Sequence, residues 1–154
     1  MGLYSEVELA GWDQRVRALY DHWISLHPKG QEQRFLPGRQ HFDPVDVPSL
    51  LRHIWLVDVA RNPTRFKFRL FGTSHVEAIR SDFTGRWIDE VFSDFKPSAV
   101  YGDYLLVADK GVPSYRKGPA GYHVPDYNTI ERIMLPLAEN GQDVDMILAL
   151  TVYL

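Results

Sequence analysis

The sequence contains no cysteine among its 154 residues. This absence excludes disulfides, thiolate zinc sites, iron–sulfur clusters and cysteine nucleophiles, and it fits the reducing environment of the cytosol. No apolar run approaches the ~20 residues that a membrane helix needs, and residues 1–10 have neither the basic nor the apolar segment of a signal peptide. We therefore expect a cytoplasmic protein without a membrane span.

Charge of one sign is not concentrated anywhere along the chain. The 17 basic and 20 acidic residues give a net charge of -3, and the basic residues are scattered instead of forming a stripe. This pattern gives no support for nucleic-acid binding. Hydrophobic residues make up 45% and aromatic residues 13% of the chain, which is too apolar for disorder and indicates a well-filled core or an aromatic-lined pocket within a single domain.

The first segment in which apolar residues recur at helical spacing is an amphipathic helix. It runs to His27, where Pro28 and the Lys29-Gly30 pair end the pattern. Its stripe has more apolar surface than one position on a small sheet is expected to cover, and exposed patches of that kind mark interfaces. We predict a homodimer held by this helix, with packing onto its own sheet as the alternative. The predicted interface residues are Trp12, Val16, Leu19, Tyr20, Trp23 and Ile24.

Two strand-like runs and several short helices follow. Ile54–Val59 is apolar except for Asp58, as in a central strand covered on both faces, and Phe66–Phe71 alternates so that Phe66, Phe68 and Leu70 share a face. After them, Ser74 with Glu77 predicts a capping box at the start of a helix. Pro97 and Gly111 are placed to open and close a longer one.

Three further strands are predicted in the C-terminal part of the chain. The first is short and lies around Ser114, and the other two, Glu131–Ala138 and Val144–Tyr153, form a hairpin through Asn140-Gly141. Pro136 lacks a ladder amide, so we expect a bulge or one-sided pairing there. The whole order predicts an α+β fold, a five-stranded antiparallel sheet with helices on one face and an N-terminal helical extension, in which the strands from Ile54 and Val144 lie side by side at the centre.

Four stretches of sequence, together with this order of elements, resemble a known family. They are Leu36–Arg39 before Asp43-Pro44, Phe66–Thr73, Asp82–Arg86 and Glu131–Leu137. The family is that of short bacterial PAS-like proteins, and the resemblance implies a PAS-like domain over residues 36–154 after a helical extension over residues 1–35. It implies a non-catalytic sensory or interaction module, with a small-molecule site or a packed core between helices and sheet, that signals through an unidentified protein partner.

The resemblance names no ligand and no cofactor. PAS subclasses that form a flavin–thiol adduct or carry a thioester-linked chromophore need a cysteine, so the composition excludes both photochemistries. Aromatic residues are the best pocket candidates, because pockets are mostly apolar with a few placed polar groups and tyrosine supplies both; simple core filling is the alternative. The candidates are Phe68, His75, Trp87, Tyr101, Tyr104 and Tyr115.

Catalytic and metal-binding motifs are absent from the sequence. No HExxH, no Gly-x-Ser-x-Gly and no phosphate loop occurs, and we predict no metal site. His75, just inside a predicted helix near the sheet, is a candidate haem ligand by resemblance to haem-binding PAS proteins, although a surface or hydrogen-bonded histidine is the simpler interpretation. Asp82 is expected to cap a backbone amide. The alternative function is a small isomerase-type enzyme with an acid–base residue in its pocket, for which Asp58 and Asp103 are candidates that fit a surface better.

Overall fold

The computed structural model describes residues 4–28 and 35–154, so the predicted Lys29-Gly30 break lies outside the described residues. Three short 3₁₀ helices, Arg39–His41, Pro44–Asp46 and Pro48–His53, precede the sheet. The α-helices are α1 (Glu6–Ala10), α2 (Gln14–Ser25), α3 (Thr73–Ile79), α4 (Ile88–Val91) and α5 (Ala99–Lys110). The strands are β1 (Ile54–Ala60), β2 (Arg65–Phe71), β3 (Ser114–Gly118), β4 (Ile130–Leu137) and β5 (Met146–Tyr153).

All five strands pair antiparallel in the order β2-β1-β5-β4-β3. The predicted neighbours β1 and β5 are adjacent and neither lies at an edge, which confirms the predicted topology. Pro136 pairs with Ile147 of β5. On its other side it has no strand partner among the described residues, because the pairing of β3 with β4 begins at Ser114, which lies opposite Met134. The proline therefore has a ladder neighbour on one side only, as its missing amide requires. The connection between β4 and β5 spans residues 138–145 and is longer than the tight Asn-Gly turn predicted from the sequence.

A β-bulge in β2 changes the face that its last residues present. Leu56 pairs with Leu70 but Val57 pairs with Phe68, so the register shifts by one residue at Arg69. Because side chains alternate along a strand, this shift turns Phe71 into the core and leaves Leu70 43% exposed. The prediction that Leu70 shares a face with Phe66 and Phe68 is therefore wrong.

Helix ends follow the sequence closely at α5 and less closely at α3. Gly111 closes α5 in the left-handed conformation, with φ 65°, as predicted. Helix α3 begins at Thr73 after Gly72, and the predicted capping box does not form, because Arg52 binds both of its members, Ser74 and Glu77. A Cβ atom on Gly72 would overlap two backbone carbonyl oxygens of the preceding segment, so only glycine fits where the chain leaves the sheet.

Helices of the same chain cover both faces of the sheet. Helices α3, α4 and α5 lie over the face that carries Trp55, Phe66 and Phe68. Helix α2 contacts β4 and β5 from the opposite face, over Leu135 and Leu148. Within the described residues, no helix has both the length and the apolar character to cross a membrane.

The residues predicted at a dimer interface pack against this second face of the sheet. The indole N–H of Trp23 donates a hydrogen bond to the carbonyl oxygen of Pro136 at 2.9 Å. The premise that a small sheet could not cover the helix is therefore wrong, because β4 and β5 are apolar on this face as well as on the other. Homodimerisation stays a prediction. Buried in the single chain are Trp12, Val16, Leu19, Tyr20 and Trp23, and Ile24 is half-buried against the same cluster.

Candidate functional site

A cavity of about 430 Å³ lies between the sheet and helices α3, α4 and α5. Its volume falls within the range of small-molecule sites, ~300–1,000 Å³. Most of its wall is aromatic or aliphatic, and a smaller number of polar residues complete it. The apolar walls are formed by Trp55, Phe68, Phe71, Ile79, Phe83, Ile88, Val91, Phe92, Phe95 and Val100, and the polar or small lining residues are His75, Ser93, Asp94, Ser98, Tyr104, Gly121, Tyr122, His123 and Tyr153.

Half of the residues predicted from the sequence line this cavity. Phe68 and Tyr104 come from the middle of β2 and α5, and His75 comes from the first turn of α3. Phe68 is 4% exposed and lies within a group of rings that includes Phe71, at 5.1 Å between centroids, and Trp55, at 6.3 Å. The three predicted residues come from separate elements, so the fold brings them together.

The other three predicted residues do not line the cavity. Tyr115 lies on the opposite face of the sheet, where its ring stacks on that of Trp12 at 4.2 Å. The reason is strand alternation, since its neighbours in β3 face α5 instead. Tyr101 packs against Phe95 behind the cavity wall, with 5.1 Å between ring centroids. Trp87 lies just before α4, and the Arg65 guanidinium covers its ring at 4.2 Å.

Two tyrosines that the sequence analysis missed complete the polar end of the cavity. Tyr153 is the last residue of β5, and Tyr122 comes from the loop after β3. Strand alternation could have found Tyr153, because it lies in step with Ala149 on the face toward α5. No periodic pattern could have placed Tyr122, which follows a Gly- and Pro-rich segment.

A line of hydrogen bonds joins these tyrosines to His75. The Tyr122 and Tyr153 hydroxyls lie 3.3 Å apart, and the Tyr153 hydroxyl is 2.9 Å from Nδ1 of His75. The other ring nitrogen of His75, Nε2, is 2.7 Å from the carbonyl oxygen of His53. Burial lowers the pKa of His75 to about 4, so its imidazole is neutral at pH 7. Both ring nitrogens are engaged, as in the hydrogen-bonded interpretation and unlike a haem ligand.

The Tyr104 hydroxyl is a polar group of the cavity wall that lies outside this line of hydrogen bonds. Burial raises the pKa of Tyr104 well above its usual value, so the phenol is protonated at neutral pH. Among the described residues, it has no hydrogen-bond partner. Near it, the buried Arg132 donates from Nη2 to Asp103 at 3.3 Å and to Ser114 at 3.1 Å. Tyr104 can therefore offer a donor and an acceptor to a bound molecule.

Few charges face the cavity. Its lining within the described residues includes one carboxylate, the exposed Asp94, and neither lysine nor arginine. Asp58 and Asp103, the candidate acid–base residues, do not line it; Asp58 lies 3.7 Å from Arg69 and Asp103 lies 2.7 Å from Arg116. Within residues 4–28 and 35–154, no group of three or more His, Asp or Glu side chains could hold a metal ion.

Asp82 has the local role that the sequence predicted. Its Oδ1 accepts hydrogen bonds from the Thr84 amide at 3.0 Å and from the Thr84 hydroxyl at 2.7 Å. Both bonds hold the pKa of Asp82 below its usual range. This carboxylate caps a turn on the surface and takes no part in the cavity.

In a comparison with known families, the chain matches a family model over most of its length. The family model described as PAS domain matches residues 13–152, a span that includes α2 and all five strands. No curated protein matches the chain.

Proposed function

Because the chain belongs to the PAS domain family, we propose that it is a non-catalytic sensory or interaction module that binds a small molecule between its sheet and α3–α5. The observation that carries this proposal is the cavity itself. The cavity measures about 430 Å³, opens to solvent and has a mostly apolar wall next to the sheet. Concave, mostly apolar clefts of this size are where proteins bind small molecules, so the cavity is best explained as a binding site.

The composition of the cavity wall supports ligand binding. Rings such as Trp55, Phe68 and Phe92 supply apolar contact, while Tyr104 and Tyr122 supply placed hydroxyls. This combination of apolar walls with a few convergent polar groups is typical of small-molecule sites. The geometry does not favour the isomerase-type alternative, because neither Asp58 nor Asp103 lines the cavity.

A module of this kind acts by changing its contacts with another protein. The proposal therefore includes a protein partner, either a second copy of this chain or an unrelated signalling protein. Strand β5 is placed to connect ligand and partner, since Tyr153 lines the cavity and Leu148 of the same strand packs beneath α2. A bound molecule that moves Tyr153 would act on the strand that also supports the N-terminal helix.

Thermal unfolding with the small-molecule fraction of an extract from the host cells tests the proposal. Val100 lines the cavity in the first turn of α5, so Val100→Trp fills part of the space. Leu106 lies on the same helix, is 45% exposed and does not line the cavity, so Leu106→Trp is the matched control.

We expect the extract to raise the Tm of the wild type and of Leu106→Trp, but not that of Val100→Trp. A ligand at about 100 times its Kd stabilises a fold by roughly 2.7 kcal/mol. In a domain of this size that stabilisation corresponds to a Tm shift of several degrees. Equal shifts in all three proteins, or a shift in none, would contradict the proposed function.

A further inference from the structure

We propose that the cavity selects an uncharged, ring-containing molecule with a hydroxyl or N–H group, and that the Tyr122 oxygen accepts the hydrogen bond from that group. The inference rests on the function proposed above, in which the cavity is a ligand site. It follows from three observations: the direction of the hydrogen bonds from His53 to Tyr122, the charges that face the cavity, and the aromatic residues of its wall.

The direction of the hydrogen bonds begins at the His53 carbonyl. A carbonyl oxygen only accepts, so Nε2 of His75, 2.7 Å away, carries the ring proton and donates. In a neutral imidazole the other nitrogen then has no proton and accepts. The Tyr153 hydroxyl, 2.9 Å from Nδ1, is therefore the donor to His75.

The same reasoning fixes Tyr122. The single proton of the Tyr153 hydroxyl is used on His75, so in the 3.3 Å contact between the two hydroxyls Tyr122 donates and Tyr153 accepts. Tyr122 has then spent its proton and keeps only acceptor capacity. A ligand that offers a donor to Tyr122 adds a hydrogen bond and keeps the contact between the two hydroxyls, whereas one that offers only an acceptor takes the Tyr122 proton and breaks that contact, so its net gain is smaller.

The charges around the cavity exclude an anionic or cationic ligand. A carboxylate or phosphate would lose its hydration among aromatic rings without a lysine or arginine in the described lining, and an unpaired buried charge is costly. The buried cation on this side of the sheet, Arg132, is held by Asp103 and Ser114. A cation would find ring faces and one carboxylate, the exposed Asp94. Exposed ion pairs contribute little, and cation–π contacts of about 0.5–2 kcal/mol do not offset the desolvation of a charge without a buried partner.

The aromatic wall of the cavity is the reason for proposing a ligand that contains a ring. The five aromatic residues Trp55, Phe68, Phe71, Phe83 and Phe92 lie next to each other around the cavity. Their centroids are separated by 5.1–6.4 Å in edge-on, tilted or stacked contacts. A planar ring can make the same contacts, each of which is worth ~0.5–1.5 kcal/mol beyond simple burial.

Four probes with one ring system separate these features. Naphthalene has no polar group, 2-naphthol adds a neutral donor, 2-naphthoate adds an anion and 2-naphthylmethylamine adds a cation at pH 7. Isothermal titration calorimetry of the whole chain measures the affinity for each. We expect 2-naphthol to bind about 3- to 10-fold more tightly than naphthalene, the gain expected from one net hydrogen bond. Both charged probes should bind at least tenfold more weakly than 2-naphthol.

Tyr122→Phe removes the proposed acceptor. We expect this variant to bind 2-naphthol only as tightly as naphthalene, with naphthalene affinity unchanged. Tyr101→Phe is the matched control, because Tyr101 lies behind the cavity wall and outside its lining; it should keep the wild-type preference. If Tyr122→Phe fails to fold, the comparison of 2-naphthol with 2-naphthoate on the wild type still decides between a neutral and an anionic ligand.

Two binding results, besides the absence of any binding, would overturn the inference. In the first, 2-naphthoate binds as tightly as 2-naphthol, which would indicate that an anion recruits Arg132, whose buried Nε has no hydrogen-bond partner among the described residues. In the second, Tyr122→Phe keeps the full preference for 2-naphthol. If no probe binds but the extract stabilises the wild type and not Val100→Trp, the ligand class is wrong and the proposed function stands. If the extract test fails as well, both fall.

Discussion

Replacing Trp23 with alanine removes the side chain that most directly joins α2 to the sheet. Its indole is 0% exposed, and its N–H donates to the Pro136 carbonyl at 2.9 Å. The ring also contacts His27 edge-on, with 4.4 Å between centroids. All of these contacts lie within one chain, so the substitution distinguishes a helix packed on its own sheet from one that depends on a partner.

The expected cost of this substitution is about 4 kcal/mol. Emptying a buried aromatic site costs roughly 3–5 kcal/mol, and the lost hydrogen bond contributes about 1 kcal/mol of net stability. Trp23→Phe keeps most of the ring and loses the N–H, so it should cost only about 1–2 kcal/mol. Val7 is 85% exposed on α1, and Val7→Ala should therefore change stability by less than about 0.5 kcal/mol.

Urea unfolding at two protein concentrations, a hundredfold apart, measures both the cost and its origin. If α2 packs on its own sheet, Trp23→Ala costs the same at both concentrations. If the helix is held by a second copy, dimer stability of the wild type rises by about 2.7 kcal/mol over that range, because association follows mass action, and Trp23→Ala removes this dependence. A concentration dependence that Trp23→Ala abolishes, or a Trp23→Ala cost below about 1 kcal/mol at both concentrations, would contradict intramolecular packing.

Three further substitutions and one control, Gly102→Ala, test the core, the buried histidine and the start of α3. Phe68→Ala should cost about 3 kcal/mol in urea unfolding, at the low end for a buried aromatic because one side of the ring already borders the cavity; a cost under about 1 kcal/mol would mean that the ring is solvated. Burial lowers the pKa of His75 to about 4, so the stabilisation is present above its ordinary pKa and is lost as the pH falls toward 4. From pH 7 to pH 5 the wild type should lose about 2 kcal/mol more than His75→Gln, and equal losses would contradict a neutral buried imidazole. Gly72→Ala should lower stability by about 1–3 kcal/mol through overlap with backbone oxygens. Gly102→Ala, in open space on α5, should raise it by about 0.5–1 kcal/mol, and the opposite order of the two Tm values would contradict the backbone geometry.

The sheet could be predicted from the sequence because its signals are local. The largely apolar runs of β1 and β5 indicated their central places, and Pro136 indicated a bulge or pairing on one side only, of which the second is found. The same runs also require a cover on each face of the sheet, which α2 supplies. The prediction that α2 has more apolar surface than its own sheet can cover did not take this second apolar face of the sheet into account.

The site was predicted only in part because its geometry depends on register and on loops. Because of the bulge at Arg69, Phe71 lines the cavity in place of Leu70. No sequence pattern within β2 predicts this bulge. Tyr115 is an aromatic residue on the wrong face of β3, a distinction that depends on a register fixed by β4. Tyr122 contacts Tyr153, which is 31 residues away in the chain. A contact between residues so far apart produces no periodic pattern in the sequence.

If the cavity holds a small molecule in the cell, protein isolated from its own host without denaturation carries that molecule. Native mass spectrometry should then show the chain above its 17.8 kDa sequence mass by the mass of one small compound, which is lost on denaturation. The same excess should appear on Leu106→Trp and be absent from Val100→Trp. Wild-type protein at its bare mass, or an equal excess on Val100→Trp, would contradict the assignment of the cavity as a ligand site.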